Sequence, residues 1–230
     1  MKKVLLYGLM SCATVFGFTS CNDNNDQLTD TRVTNYILLN IKGDPVVYVD
    51  ANTTYEDAGC TAELAGEDVS SQVIVTNPVN TSEVGPYTVL YKATNADGFS
   101  ATASRKVYVG THISGTVAEG TFRKTAKGVE TPYSGFEIDM LTDNNGKFWI
   151  EDLMGGYYEQ RAGYGDRYAM NGFLKVNDDG TVDMVGGGDV VGWGDAYSGF
   201  RDGKFDPATN TLSYTVVYAE MDFNVTLTIN

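Results

Sequence analysis

Histidine is almost absent from this chain: His112 is the only one in 230 residues. A Ser or Cys nucleophile activated by imidazole therefore has one base to choose from, and a zinc site built on several His or Cys ligands cannot be assembled. Cysteine is nearly as scarce, with three in all. Cys12 falls inside an N-terminal apolar run and Cys21 at its end. Cys60 is left without a partner, so no disulfide is expected and Cys60 reads as a small buried apolar residue. Positive charge is also short: 16 Lys and Arg against 30 Asp and Glu give a net charge of −14. Such a chain repels nucleic acid and anionic head groups. No stretch has the 3.6-residue period of a long helix, and no second long apolar run follows the first. Neither Asp143-Asn144-Asn145-Gly146 nor Asn177-Asp178-Asp179-Gly180 is followed by the glutamate that closes an EF-hand loop; Met154 stands there for Asp143. Both segments read as hairpin turns. Carboxylate pairs such as Glu151 or Asp152 with Asp195 could be imagined as a glycosidase couple, but a chain this acidic always offers some pair. The expectation is a protein with no cofactor, no metal and no enzymatic activity.

What is present begins at the N-terminus. Lys2 and Lys3 precede an apolar run over residues 4–18, which ends in Phe18-Thr19-Ser20-Cys21 and passes into Asn22-Asp23-Asn24-Asn25-Asp26. The run is long enough for export yet shorter than the roughly 20 residues of a stable membrane span. The pattern resembles a bacterial lipoprotein signal of the relaxed Bacteroidota kind, with residues 1–20 as the signal peptide and Cys21 as the lipidated first residue. Asp23 and Asp26 resemble the acidic tag that sends such lipoproteins to the outer face of the outer membrane. Residues 21–32 are Asn, Asp, Gln and Thr with almost nothing to bury and are expected to be a flexible tether.

Residues 33–110 read as short strands at 36–41, 46–49, 73–76, 87–93 and 101–109, with a tight Asp97-Gly98 turn joining the last two. Tyr55-Glu56-Asp57-Ala58-Gly59-Cys60-Thr61-Ala62, Thr81-Ser82-Glu83-Val84-Gly85-Pro86-Tyr87-Thr88-Val89-Leu90-Tyr91 and Arg105-Lys106-Val107-Tyr108-Val109 follow one another in the order and spacing of a bacterial immunoglobulin-like module. This part of the chain resembles that module, found in surface proteins and crystal toxins. The resemblance implies a β-sandwich acting as a spacer between the lipid and an outer domain.

Residues 111–230 are richer in glycine and aromatic side chains. Strands are expected at 113–117, 136–141, 147–150, 172–176, 181–184, 211–218 and 223–229, and the simplest arrangement is a closed antiparallel β-barrel of about eight strands. Tyr133-Ser134-Gly135-Phe136, Leu153-Met154-Gly155-Gly156-Tyr157-Tyr158 and Gly192-Trp193-Gly194-Asp195 resemble the C-terminal domain of Bacteroidota surface lipoproteins that accompany SusC/SusD-type outer-membrane importers. The whole chain is thus expected to be all-β and anchored in the outer membrane at the cell surface.

The candidate ligand-binding residues are Tyr157, Tyr158, Tyr164, Trp193, Asp195 and Tyr197. Glycine lets a loop turn so that a ring can stand out of it, and flat rings stack on sugar faces or peptide side chains. Asp166, Arg167 and Arg201 could add hydrogen bonds, and Trp149, in the strand pattern Phe148-Trp149-Ile150, reads as core. The expected function is capture of an extracellular nutrient, glycan or peptide, as an accessory to a SusC/SusD-type importer. The alternative is a structural or adhesive subunit that binds other surface proteins and no small ligand.

Overall fold

A computed structural model of the protein describes residues 33–124 and 128–230. The leader, Cys21 and the tether expected over residues 21–32 lie outside the described residues.

The Ig-like module contains β1 (Leu38–Ile41), β2 (Val46–Val49), β3 (Cys60–Leu64), β4 (Glu67–Asp68), β5 (Ile74–Thr76), β6 (Gly85–Thr94) and β7 (Ser100–Val109). One sheet has the order β1-β3-β4 and the other β2-β7-β6-β5, with β2 running parallel to β7. The period of two in β6 is clean: Val89, Tyr91 and Ala93 are buried while Thr88, Leu90 and Lys92 face out. Cys60 is half-buried against the cluster formed by Val89, Tyr91, Val107 and Val109.

The Tyr55-x-Asp57-x-Gly59 motif explains itself in this core. The Tyr55 and Tyr91 hydroxyls each donate to Asp57 Oδ1 at 2.8 Å, and the Gly59 amide donates to Oδ2 at 2.9 Å. The Arg105 guanidinium donates to the same carboxylate and, with its other nitrogens, to the carbonyls of Lys42 and Asp44. Burial raises the Asp57 pKa, but the two tyrosine hydroxyls, the Gly59 amide and the Arg105 charge outweigh it and hold the carboxyl below its ordinary range.

The second module contains β8 (Thr111–Ile113), β9 (Val117–Arg123), β10 (Thr131–Glu137), β11 (Met140–Thr142), β12 (Lys147–Ile150), β13 (Gly172–Val176), β14 (Val182–Gly187), β15 (Asp189–Val190), β16 (Asp195–Ala196), β17 (Gly199–Asp206), β18 (Thr211–Tyr218) and β19 (Met221–Thr228). Two antiparallel sheets, ordered β10-β9-β19-β18-β17 and β14-β13-β12-β11-β8, face each other, and β15 and β16 form a separate hairpin. Residues 143–146, 177–180 and 207–210 turn between paired strands.

Among the described residues the barrel expected from the sequence is not closed. Ten strands lie in two sheets, and the edges of β14 and β17 meet through one bridge, Thr181 with Lys204. The remaining edges are blunted in other ways, so closure is not required. β10 carries Pro132, which offers no amide proton, and a bulge between Ser134 and Phe136. β8 is only three residues long.

Between the sheets lies a core made by Phe223, Val225 and Leu227 of one sheet and Met140, Ile150 and Leu174 of the other. Each such side chain contributes about 1.5–3 kcal/mol on burial. The second sheet is covered on both faces over β11 and β12. Met140, Leu141 and Thr142 are all buried, because Leu141 and Trp149 turn away from this core and pack with Val84 and Tyr108 of the Ig-like module. Trp149, read as core, is 5% exposed there. Double-sided burial explains the unbroken apolar runs Met140-Leu141 and Phe148-Trp149-Ile150. Gly110 is the single residue between β7 and β8; its φ is +125°, and a Cβ there would lie 2.6 Å from Val84 and 2.9 Å from the Thr142 carbonyl. Beside it His112 stacks on Tyr48, centroids 4.5 Å apart, and its Nε2 lies 3.1 Å from Asp139 Oδ1.

Candidate functional site

At one end of the second module three segments bring aromatic rings together. The first begins with a single π turn, Tyr157–Arg161, in which the Arg161 amide donates to the Gly156 carbonyl at 2.9 Å and the Ala162 amide to the Tyr157 carbonyl at 3.0 Å. Wide turns of this kind recur at functional sites. It continues through Tyr164 to the 3₁₀ turn Asp166–Tyr168. The second is the β15–β16 hairpin, anchored by fully buried Val190, with Trp193 in its loop. The Gly192 amide ties the two segments by donating to the Arg167 carbonyl at 2.7 Å. The third is the end of β18, which supplies Tyr218.

Trp193 is the hub. Tyr158 and Tyr168 meet it edge-on with centroids 4.8 and 4.7 Å away, Tyr164 edge-on at 5.8 Å, and Tyr218 stacks at 6.0 Å. Aromatic pairs of this geometry contribute about 0.5–1.5 kcal/mol each beyond burial. The result is a rigid patch that stays open to solvent: Trp193 is 44% and Tyr164 56% exposed. A Cβ on Gly192 would lie 2.5 Å from the Tyr168 ring, so only glycine lets the hairpin settle on that tyrosine. Exposed Asp195 accepts a 2.6 Å hydrogen bond from the Tyr218 hydroxyl. The Tyr158 hydroxyl is pushed up to about 12, by burial first and then by Tyr157, Tyr164 and Asp195.

Of the residues singled out from sequence, Tyr158, Tyr164, Trp193 and Asp195 come together at this patch. Tyr157 and Tyr197 do not join its exposed face. Tyr157 turns inward against Phe122, Tyr133 and Phe223, with the Arg161 guanidinium 5.1 Å from its ring centre. Tyr197 is half-buried against the core, and a Cβ on Gly188 would fall 2.2 Å from its ring. Asp166 and Arg167 stand exposed on the 3₁₀ turn that carries Tyr168. Arg201 is engaged elsewhere, its Nη2 3.1 Å from Asp222, which also pairs with Arg123. Tyr218 was not singled out, although the alternation Leu212, Tyr214, Val216, Tyr218 places it on the inner face of β18.

Two carboxylates lie beneath or within the aromatic segment. Asp152 is fully buried and accepts the amides of Met154, Gly156 and Met170 at 2.9, 2.9 and 3.0 Å, pinning the start of the aromatic segment. Burial nonetheless pushes its carboxyl up to about 6. Glu159, half-buried in the π turn, is pushed up to about 7 by burial and by the carboxylates of Glu151, Asp152 and Asp166. Among the described residues no group of three His, Cys, Asp or Glu is placed to hold a metal ion. No helix among them is long and apolar enough to cross a membrane.

An Ig-like module ahead of a two-sheet antiparallel domain defines a multidomain all-β protein, and comparison with known proteins makes this specific. Residues 39–109 match the family model described as "Bacterial surface protein, Ig-like domain", and residues 105–229 match one described as "-like, C-terminal domain". The crystal structure of the lipoprotein BT2262 from Bacteroides thetaiotaomicron is 36% identical, with a TM-score of 0.55, covering 84% of this chain and 100% of that one. The chain belongs to the family of that lipoprotein. A structure of CBM51-2 in complex with GlcNAc and INT domains from Clostridium perfringens ZmpB is 9% identical, with a TM-score of 0.28, covering 85% of this chain and 44% of that one. At that level neither fold nor ligand carries over. No curated protein shows a match to this chain.

Proposed function

We propose that this lipoprotein is held in the outer membrane by lipid on Cys21 and captures an extracellular nutrient polymer, glycan or peptide, for a SusC/SusD-type importer. The observation that carries the reading is the exposure of Trp193 and Tyr164 on a patch locked from beneath by Tyr158, Tyr168 and Tyr218. Rings held rigid yet left open to water present a ligand with a preorganised stacking surface, and rigid aromatic anchors dominate many binding energies. Asp195 and Asp166 add acceptors at its rim. The test is calorimetry of the lipid-free chain against polysaccharides and peptide digests, with Trp193→Ala as the matched control. Binding by the wild type that the variant loses, with thermal unfolding unchanged, supports the reading; equal affinity removes the patch as the site.

A second reading, contact with other surface proteins, draws on the Ig-like module. Val46, Ile74 and Leu90 are 43, 67 and 40% exposed on the outer face of its four-stranded sheet. A chain that binds no polymer, yet crosslinks at these positions to a neighbouring surface protein, would favour it.

A further inference from the structure

The outer face of the five-stranded sheet carries a groove of about 650 Å³ that is separate from the aromatic patch. It runs across the strands. One register row is Glu119–Thr226–Ser213 and the next is Thr121–Asn224–Thr215, contributed in each case by β9, β19 and β18. Pro132 of β10 and Asp202 of the β17 bulge stand at its two sides.

The floor is polar and ordered before any ligand arrives. Thr215 donates from Oγ1 to Asn224 Oδ1 at 2.9 Å, and Asn224 Nδ2 donates to Thr121 Oγ1 at 3.0 Å. Thr215 is only 6% exposed although it points outward, so the floor is recessed. The chain of bonds fixes the Asn224 amide, leaving its second N–H and the Thr121 hydroxyl proton to donate outward. The nearest cations are already matched, since Arg123 and Arg201 both pair with Asp222 one row further along. Arg201 Nε also lies 3.4 Å from Asp202, so the charge left at the groove is that of Glu119.

We propose that this groove is a second binding site, for a neutral glycan lying across the strands. Its volume is in the usual range of about 300–1,000 Å³ for ligand sites. Hydroxyls and an amide that offer both donors and acceptors match the vicinal hydroxyls of a sugar. Glu119, on a chain of net charge −14, selects against acidic polymers. Adjacent strands lie about 4.8 Å apart, close to the length of one pyranose unit, so successive strands present hydrogen-bonding groups to successive sugars. An extended peptide advances about 3.4 Å per residue and falls out of step with that spacing.

The test is calorimetry of the lipid-free chain with cellohexaose, xylohexaose, mannohexaose and maltohexaose, and with hexagalacturonate and a Gly-Ser decapeptide as acidic and peptide probes. At least one neutral hexasaccharide binds, and Asn224→Ala or Thr215→Val weakens it about tenfold, the loss of one or two good hydrogen bonds. Ser213→Trp fills the groove without touching the Thr–Asn–Thr chain and abolishes binding, which keeps the proposal open to refutation if either floor variant unfolds. Trp193→Ala leaves this binding intact. No binding of any neutral hexasaccharide, equal binding of hexagalacturonate or the peptide, or unchanged affinity in Ser213→Trp overturns the proposal. Affinity lost in Trp193→Ala and kept in the groove variants also overturns it, while supporting the aromatic patch.

Discussion

Arg105 and Asp57, 48 residues apart in the chain, form an ion pair inside the Ig-like module, with Arg105 1% exposed. A buried pair of this kind is strongly coupled to its surroundings: the carboxylate also takes two tyrosine hydroxyls and an amide, and the guanidinium two backbone carbonyls. Removing one partner leaves the other charge buried and unmatched. Arg105→Met is expected to destabilise the protein by about 3–5 kcal/mol in urea denaturation. The pH dependence has a definite sign. Because the folded Asp57 pKa is depressed, its contribution is full above the unfolded value of about 4 and is lost as pH falls through the folded value. Arg105→Met should therefore lose less stability than wild type on acidification below about pH 4; an unchanged acid limb would contradict this account.

Asp152 titrates in the opposite sense. Its folded carboxyl is raised to about 6 by burial, so the folded state holds its proton more tightly than the unfolded chain does. Stability from this group is full below the unfolded value of about 4 and declines as pH rises to about 6, by an amount on the order of 2–3 kcal/mol. Asp152→Asn removes that slope. It also turns an NH₂ group toward an amide donor that an oxygen now accepts, costing about 1–3 kcal/mol below pH 4. Stability curves of both proteins from pH 3 to 8, as urea midpoints, decide this.

These two carboxylates also mark what the sequence made legible. Asp57 lies in the Tyr55-x-Asp57-x-Gly59 stretch that carries the Ig-like resemblance, and the structure gives that stretch its reason, since with Tyr91 and Arg105 it serves one carboxylate. Asp152 stood out only as one acid among 30, since nothing local shows that three amides will converge on it. The same contrast holds for strands. β6, β7, β18 and β19 alternate cleanly. β9, β10 and β17 carry the glycines of Gly120, Gly135 and Gly203 inside their patterns, and the last two bulge, so their periods are broken. In the aromatic segments glycine signalled exposed rings, but a loop has no period to say which ring faces out. Tyr157 and Tyr158 are adjacent, and the π turn sends one inward and the other to Trp193.

The two tryptophans of the chain occupy opposite environments, which makes them separate reporters. Trp149 is 5% exposed between the modules and Trp193 is 44% exposed at the patch. Trp149→Phe should leave an emission that is red-shifted and readily quenched by acrylamide, and Trp193→Phe one that is blue-shifted and protected. Ligand added to the Trp149→Phe protein should shift the remaining emission to shorter wavelength and reduce quenching. A spectrum that does not move on saturation with a bound polymer would place the ligand away from Trp193. Replacing Trp149 with Ala, by contrast, removes core, with a cost of about 3–5 kcal/mol.

Gly192 tests whether the patch works as a unit. Its N–H is tied to Arg167, and an added methyl would meet the Tyr168 ring at 2.5 Å, while Tyr168 is itself wedged 4.7 Å from Trp193 and 5.4 Å from Tyr164. Gly192→Ala must therefore push Tyr168 aside and loosen its edge contact with the indole. The expected stability loss is about 1–3 kcal/mol, the usual range for overpacking, and polymer affinity at the patch should fall although no ligand-facing atom has been removed. Gly199→Ala is the control, since its Cβ would meet only Val217 at an ordinary 3.4 Å. If both substitutions leave affinity and the quenching of Trp193 alike, the rings do not act through Tyr168, and preorganisation is not what the hairpin supplies.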